Sequence, residues 1–284
     1  MFSSQLGEAA EVRLKQGVVR YHSVGSGPPV VFVHGLMTNS AVWHKVVPLL
    51  ADRVRCVTPD LPLGSHSIPL EPDADLSLPG LARLVQDFIE ALDLHDVTLV
   101  GCTVGGVICQ LIAVDQPARI GRVVLLPSDA YDNVPPKVLR YLRWAPRVPG
   151  MVWLLGNSLR IPANRTTPFS YGWVSKKGFE KDVLEAFVRP QISTRGVRHD
   201  LAKVLRDVRP VHTRDAAQRF GDVDIPVLIA WSREDRLFPY EHGERLATEF
   251  RKARLETVPD SYTYVVQDQP EHVARLIADF VATG

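Results

Sequence analysis

The stretch Leu99-Val100-Gly101-Cys102-Thr103-Val104-Gly105-Gly106-Val107 decides the architecture. Apolar, β-prone residues run up to Gly101, and a buried helical pattern resumes at once and continues to Val114. A strand can pass into a helix through so short a bend only if bulk is absent on both sides of it, and Gly101 and Gly105 supply that absence. The turn lifts residue 103 above the sheet at the start of a helix, where unpaired amides favour negative charge.

Outward from this turn, short β-rich runs alternate with helical ones. Strands are expected at 18–22, 30–33, 53–57, 96–100, 122–126, 226–230 and 255–259, and helices at 40–50, 81–92, 105–114 and 270–281. Such alternation predicts an α/β class with a mostly parallel central sheet and helices on both faces. Between about 128 and 221 the pattern breaks into proline-rich helical pieces that carry Trp144, Trp153 and Trp173. The expected organisation is therefore one core, residues 1–127 and 222–284, interrupted by a helical cap at 128–221.

Composition narrows the function classes. Hydrophobic and charged shares of 45% and 23% over 284 residues are those of an ordinary globular domain. Thirty-three basic and 32 acidic residues give a net charge of +1, which points to no nucleic acid and no membrane surface as partner. The first residues carry no basic or apolar leader pattern, and no apolar run approaches the ~20 residues of a bilayer span. Cys56, Cys102 and Cys109 fit free thiols in a cytoplasmic protein. No metal-ligand spacing or phosphate loop occurs, and 101–106 fails G-x-G-x-x-G because Thr103 takes its third position. The expected partner is a small molecule, with no cofactor and no metal.

The 101–105 turn has the spacing of a nucleophile elbow, G-x-S-x-G, with Thr103 in the serine slot. Val33-His34-Gly35-Leu36-Met37 follows a buried strand and matches an H-G oxyanion loop, so the amides of Leu36 and Val104 are the candidate oxyanion donors. With both loops the chain resembles, over essentially its full length, the α/β-hydrolase superfamily, in the branch of haloalkane dehalogenases and epoxide hydrolases. Residues 59–66 and the insertion before Pro226 support the resemblance. It implies that 231–239 is the acid loop, with Asp235 as triad acid, and that 258–264 normally carries the histidine. Thr263 stands at that position. Asp129 is a second candidate acid, because some relatives place theirs after the strand that follows the elbow helix; the alternative is a turn or cap residue.

Triad chemistry needs an attacker, a base and an acid that orients the base. Here the acid remains, the attacker is exchanged and the base is missing. Asp235 is expected to be hydrogen-bonded by Thr263 or a neighbouring donor, since an unpartnered buried carboxylate is costly. His66 is the first substitute base to consider; His199 and His212 fall in the cap, and His272 lies in the last helix. Cys102 is expected to be an inert buried thiol. His34, Trp144, Trp173 and Tyr171 are the substrate-binding candidates, against a purely structural role in the loop and the cap core. A β-branched residue at positive φ is strained by ~1–3 kcal/mol, so the elbow is expected to have relaxed.

Three functions stay open. The first is an enzyme of lyase or cyclase type that acts on an apolar, carbonyl-bearing metabolite without a covalent intermediate. The second is an ester, lactone or epoxide hydrolase using Thr103 or aspartate-activated water, and the third is a non-catalytic small-molecule binder. The legible oxyanion, acid and elbow loops favour an enzyme. Dehalogenation is not expected, because it needs a carboxylate where Thr103 stands and a tryptophan where Val104 stands.

Overall fold

The computed structural model describes residues 2–283, with side chains from Ser4 onward. Eight strands build one sheet: β1 (Glu8–Leu14), β2 (Gly17–Val24), β3 (Pro29–Val33), β4 (Arg55–Pro59), β5 (Val97–Gly101), β6 (Ile120–Leu125), β7 (Val227–Trp231) and β8 (Ala253–Thr257). Their order is β1-β2-β4-β3-β5-β6-β7-β8. β2 runs antiparallel to β1 and β4, and the other pairings are parallel. Every residue of β5 and β7 is buried, as continuous apolar runs in a sheet covered on both faces require. Val33 and Leu125 both pair with Gly101, so the loops leaving β3, β5 and β6 open at one level along the same edge. That shared edge positions the site.

The helices α1 (Val47–Leu50), α2 (Leu78–Ala91), α3 (Val104–Asp115), α9 (Tyr240–Glu249), α10 (Val265–Asp268) and α11 (Pro270–Ala282) accompany the sheet. The helix expected over 40–50 is instead a 3-10 turn, Ser40–Trp43, followed by the short α1. Pro48 explains the break, since it has no N–H to continue a ladder from 44. Asn39, rather than Ser40, caps the turn, its side chain accepting from the Ala41 amide at 3.1 Å. α2 starts three residues before its apolar periodicity because Ser77 caps it (Gly80 N–H to Ser77 Oγ, 3.1 Å) and Pro79 lies in its first turn. β1 was not anticipated. It is a sheet edge in which only Leu14 is buried, so it has no apolar alternation to read.

Between β6 and β7 lie two 3-10 segments, Lys137–Arg143 and Ala145–Arg147, then α4 (Met151–Ser158), α5 (Pro162–Arg165), α6 (Lys181–Ser193), α7 (Arg195–Asp207) and α8 (Pro210–Ala217), and a third 3-10 segment, Phe220–Asp222, before β7. α8 packs on α3 of the sheet layer, although its residues fall in the expected cap range. The rest covers the sheet edge. His66 and Asp200 meet at 3.1 Å, both fully out of solvent, and Asp200 also accepts from the Leu70 amide at 2.9 Å. Asn39 Nδ2 donates to Ala186 O at 3.0 Å and Tyr171 Oη to Met37 O at 2.6 Å. Polar links therefore seat the cap over the elbow, beside a small cluster of Leu142, Leu201 and Leu205.

Candidate active site

Thr103 occupies the bend between β5 and α3 with φ 50° and ψ −127°. The elbow has not relaxed, contrary to expectation, and the packing shows why. A methyl group on Gly105 would lie 2.1 Å from Val33 O, and one on Gly35 would lie 1.7 Å from Thr103 Oγ1. The oxyanion loop and the elbow are so close that the turn has no room to open. The Thr103 amide also donates to Pro127 O at 2.9 Å, fixing the bend to the β6 side. Strain of ~1–3 kcal/mol is thus held by the surrounding sheet.

Beneath the cap is a cavity of about 570 Å³, a size suited to a small molecule. Its inner wall includes Leu36, Thr103, Val104, Asp129 and Tyr264, and the remaining wall is mostly aliphatic and aromatic. Leu36 and Val104, expected as oxyanion donors, thus flank Thr103 on one wall. Val104 opens α3, where amides have no intrahelical acceptor.

No histidine serves this wall. Among the described residues, all nine histidines lie off the cavity lining, and Thr103 Oγ1 is out of solvent without a hydrogen-bond partner. His34, expected to bind substrate, does not reach the cavity. Its Nδ1 contacts Gly35 O at 2.9 Å and its Nε2 accepts from the Leu61 amide at 2.9 Å, while burial lowers its pKa to about 4. It organises the oxyanion loop as a neutral ring. His66 is consumed by Asp200, His212 pairs with Asp207 at 2.9 Å, and His199 is exposed. His272 accepts from Arg275 at 3.2 Å on the last helix. Cys102 is buried off the wall, and burial drives its thiol pKa far upward, which suits an inert thiol.

The acid loop forms the bond anticipated for it. Thr263 Oγ1 donates to Asp235 Oδ1 at 2.9 Å, and the amides of Leu237 and Phe238 donate to the same oxygen at 2.7 and 2.9 Å. Asp235 Oδ2 is out of solvent with no protein partner among the described residues. Burial raises the Asp235 pKa to about 6 against those three donors, and the charge of Asp268 adds to the rise. Asp235 and Thr263 stand behind the cavity wall rather than on it.

Asp129 is the carboxyl that faces the cavity. It is 2% exposed, and its Oδ1 has no partner among the described residues. Burial first, and the Asp235 carboxylate second, raise its pKa to about 8, so at neutral pH it is mainly the uncharged acid. Its backbone is fixed by Gln110, whose side-chain amide donates to Asp129 O at 3.0 Å.

Tyr264 was missed at the sequence level, although it directly follows the Thr263 slot. Its phenol faces Thr38 and Thr103, and a methyl on Gly35 would lie 3.0 Å from its oxygen. It approaches Thr103 without completing a well-formed hydrogen bond, since Thr103 Oγ1 stays unpartnered. Burial lifts the phenol far above its ordinary range, so it is a neutral donor and not a base. The surrounding loop is anchored by Asp268, which accepts from Ser175 Oγ, Tyr262 N, Lys176 N and Lys177 N at 2.6–3.0 Å.

The cap aromatics divide. Tyr171 lines the cavity, but Trp144 and Trp173 do not. Trp144 is 65% exposed under the Arg147 guanidinium, and Trp173 stacks against Arg236. Tyr141, Arg143 and Phe169 supply cap contacts that tryptophan counting passed over.

Comparison with known proteins identifies relatives over nearly the whole chain. The chain is 25% identical to a 2-hydroxy-6-oxononadienedioate/2-hydroxy-6-oxononatrienedioate hydrolase of Paraburkholderia xenovorans, over 95% of this chain and 94% of the relative. It is 24% identical to a 2-hydroxy-6-oxo-6-phenylhexa-2,4-dienoate hydrolase of Burkholderia cepacia, over 94% and 92%. Among solved structures, the haloalkane dehalogenase DatA of Agrobacterium tumefaciens superposes with TM-score 0.80 at 22% identity, covering 99% of each chain. An α/β-hydrolase-fold protein of Burkholderia ambifaria gives 0.81 at 23% identity, covering 95% and 97%. The sequence profile of the alpha/beta hydrolase family matches residues 30–276, from the first central strand into the last helix, and the chain belongs to that family.

Proposed function

We propose that this chain is an enzyme that acts on a small apolar carbonyl compound by proton transfer, without an acyl-enzyme intermediate. The observation that carries the reading is the pairing of an unassisted Thr103 hydroxyl with an uncharged Asp129 on the same cavity wall. A hydroxyl attacks at neutral pH only when a base removes its proton, and neither Tyr264 nor any histidine is placed to do so. A carboxyl with a pKa near working pH both gives and takes protons well. In this scheme the amides of Leu36 and Val104 donate hydrogen bonds to the substrate carbonyl oxygen as negative charge grows on it. The Asp129 carboxylate, the minor form, removes the proton from the neighbouring carbon, and the resulting acid returns it. Where the enolate carries a β-hydroxyl, the Asp129 acid protonates that oxygen and it leaves as water with the C–O bonding pair; where it carries an internal carbonyl, the enolate carbon attacks it and the Asp129 acid protonates the resulting alkoxide.

The test is proton exchange by NMR in heavy water, with a panel of apolar ketones and β-hydroxyketones. Exchange or elimination that survives in Thr103→Ala and disappears in Asp129→Asn supports the reading. The opposite pattern refutes it.

Hydrolysis of an ester, lactone or epoxide is the second reading, favoured by the hydrolase names of the relatives and by the free Oδ2 of Asp235. There a carboxylate activates water, or Thr103 attacks. Turnover of a chromogenic ester that is lost in Asp235→Asn distinguishes it from the first.

A further inference from the structure

The cap carries a sharp separation of charge. Between Asp132 and Glu180 there is no acidic residue, while eight lysines or arginines occur. Lys137, Arg140, Arg147 and Arg160 are exposed, and none of the four has a carboxylate partner among the described residues. Their hydrogen-bonding contacts are local: Arg147 donates to Arg143 O and Arg160 to Asn157 Oδ1. The whole-chain charge of +1, from which no membrane contact was expected, averages this asymmetry away.

The same segment holds most of the large apolar side chains left in solvent. Trp144, Phe169 and Trp153 are 65%, 61% and 54% exposed, and Tyr141 also faces out. Ile161, Leu154 and Val148 join them, so that seven of the nine such residues among the described ones fall between 141 and 169. Tyr141, Phe169, Trp144 and Trp153 lie on adjoining segments. Tyr141 Oη donates to Phe169 O at 2.9 Å, the Trp144 amide to Tyr141 O, and α4 with Trp153 packs on the Ala145–Arg147 turn. Tyr141, Arg143 and Phe169 also line the cavity, so the surface continues into the site.

Aromatic and aliphatic groups interleaved with unpaired cations have one complementary partner, a surface that is apolar below and negatively charged above. We propose that the 137–169 face of the cap docks on an anionic lipid surface, and that apolar ligands pass from it into the cavity. Docking is independent of the reaction performed inside, because its readout is binding. No helix among the described residues is long and apolar enough to cross a membrane, so the contact is peripheral.

The experiment is flotation of the full chain with vesicles of phosphatidylglycerol mixed with phosphatidylcholine, and with vesicles of phosphatidylcholine alone. The expected result is flotation with the first only, weakened by added salt, together with a blue shift of tryptophan emission. Each basic group near an anionic surface contributes about fivefold in partitioning, so R140A/R147A/R160A should bind about 100-fold more weakly. The matching lysine triple variant should restore flotation, which separates charge from misfolding. Absence of flotation at low salt, equal binding to uncharged vesicles, or self-association through this face instead of flotation each overturns the proposal.

Discussion

Asp129→Asn should make the protein more stable, and increasingly so as pH rises. The carboxyl has an ordinary pKa of 3.8 when unfolded and about 8 when folded, raised first by burial and then by Asp235. The folded state therefore holds a proton that the unfolded state releases across that window. For an acid shifted upward, stability is full below the unfolded pKa and is lost as pH climbs to the folded one. Each pH unit inside the window removes about 1.4 kcal/mol, so the step from pH 5 to pH 8 removes up to about 4 kcal/mol. Water entry and local relaxation reduce this to about 2 kcal/mol. Asparagine copies the neutral acid in shape and never ionises. Urea denaturation of both proteins at pH 5 and pH 8 isolates the effect, because groups common to both cancel. The advantage of Asp129→Asn should grow by about 2–4 kcal/mol between the two pH values, or roughly 4–8 °C in Tm. A variant that is less stable at pH 8, or a difference that does not change with pH, would show that Asp129 is charged and well partnered in the folded chain.

Further outcomes follow from other contacts. Thr103→Gly should stabilise the chain by about 1 kcal/mol in urea denaturation, because glycine tolerates a φ of 50° that threonine does not. Thr263→Val removes one of three donors to Asp235 Oδ1, so the Asp235 pKa should rise above about 6 and stability should fall by about 1–3 kcal/mol, read by carboxyl NMR titration and by denaturation. His66→Leu leaves Asp200 buried with the Leu70 amide as its remaining hydrogen-bond donor, so it should cost about 3 kcal/mol and speed amide exchange in α7 more than in β5.

The sequence was legible where a local rule has no competitor. Continuous apolar runs located the central strands, and the two glycine-flanked loops placed Leu36, Thr103 and Val104 on one wall. Asp235 and Thr263 were paired correctly because a buried carboxylate must find donors. What stayed hidden depends on distant packing. The strain at Thr103 is set by Val33, Gly35 and Pro127, none of which is a neighbour in the turn. Tyr264 reaches the elbow only because its loop is tied to the cap through Val174 O and Asp268. Trp144 and Trp173 were placed by residue type, but both sit in turns of the cap, which leave Trp144 exposed and Trp173 half-buried away from the cavity. The preference of Asp129 over Asp235 for the cavity is a matter of which carboxyl faces inward, and no spacing encodes that.

The most direct measurement is intact-mass spectrometry after exposure to a fluorophosphonate and, separately, to p-nitrophenyl acetate with acid quenching. With no imidazole beside its oxygen, Thr103 should remain unmodified by either reagent over hours. A stoichiometric adduct mapped to Thr103 and absent in Thr103→Ala would mean that a base reaches it after all, and that turnover runs through a covalent intermediate.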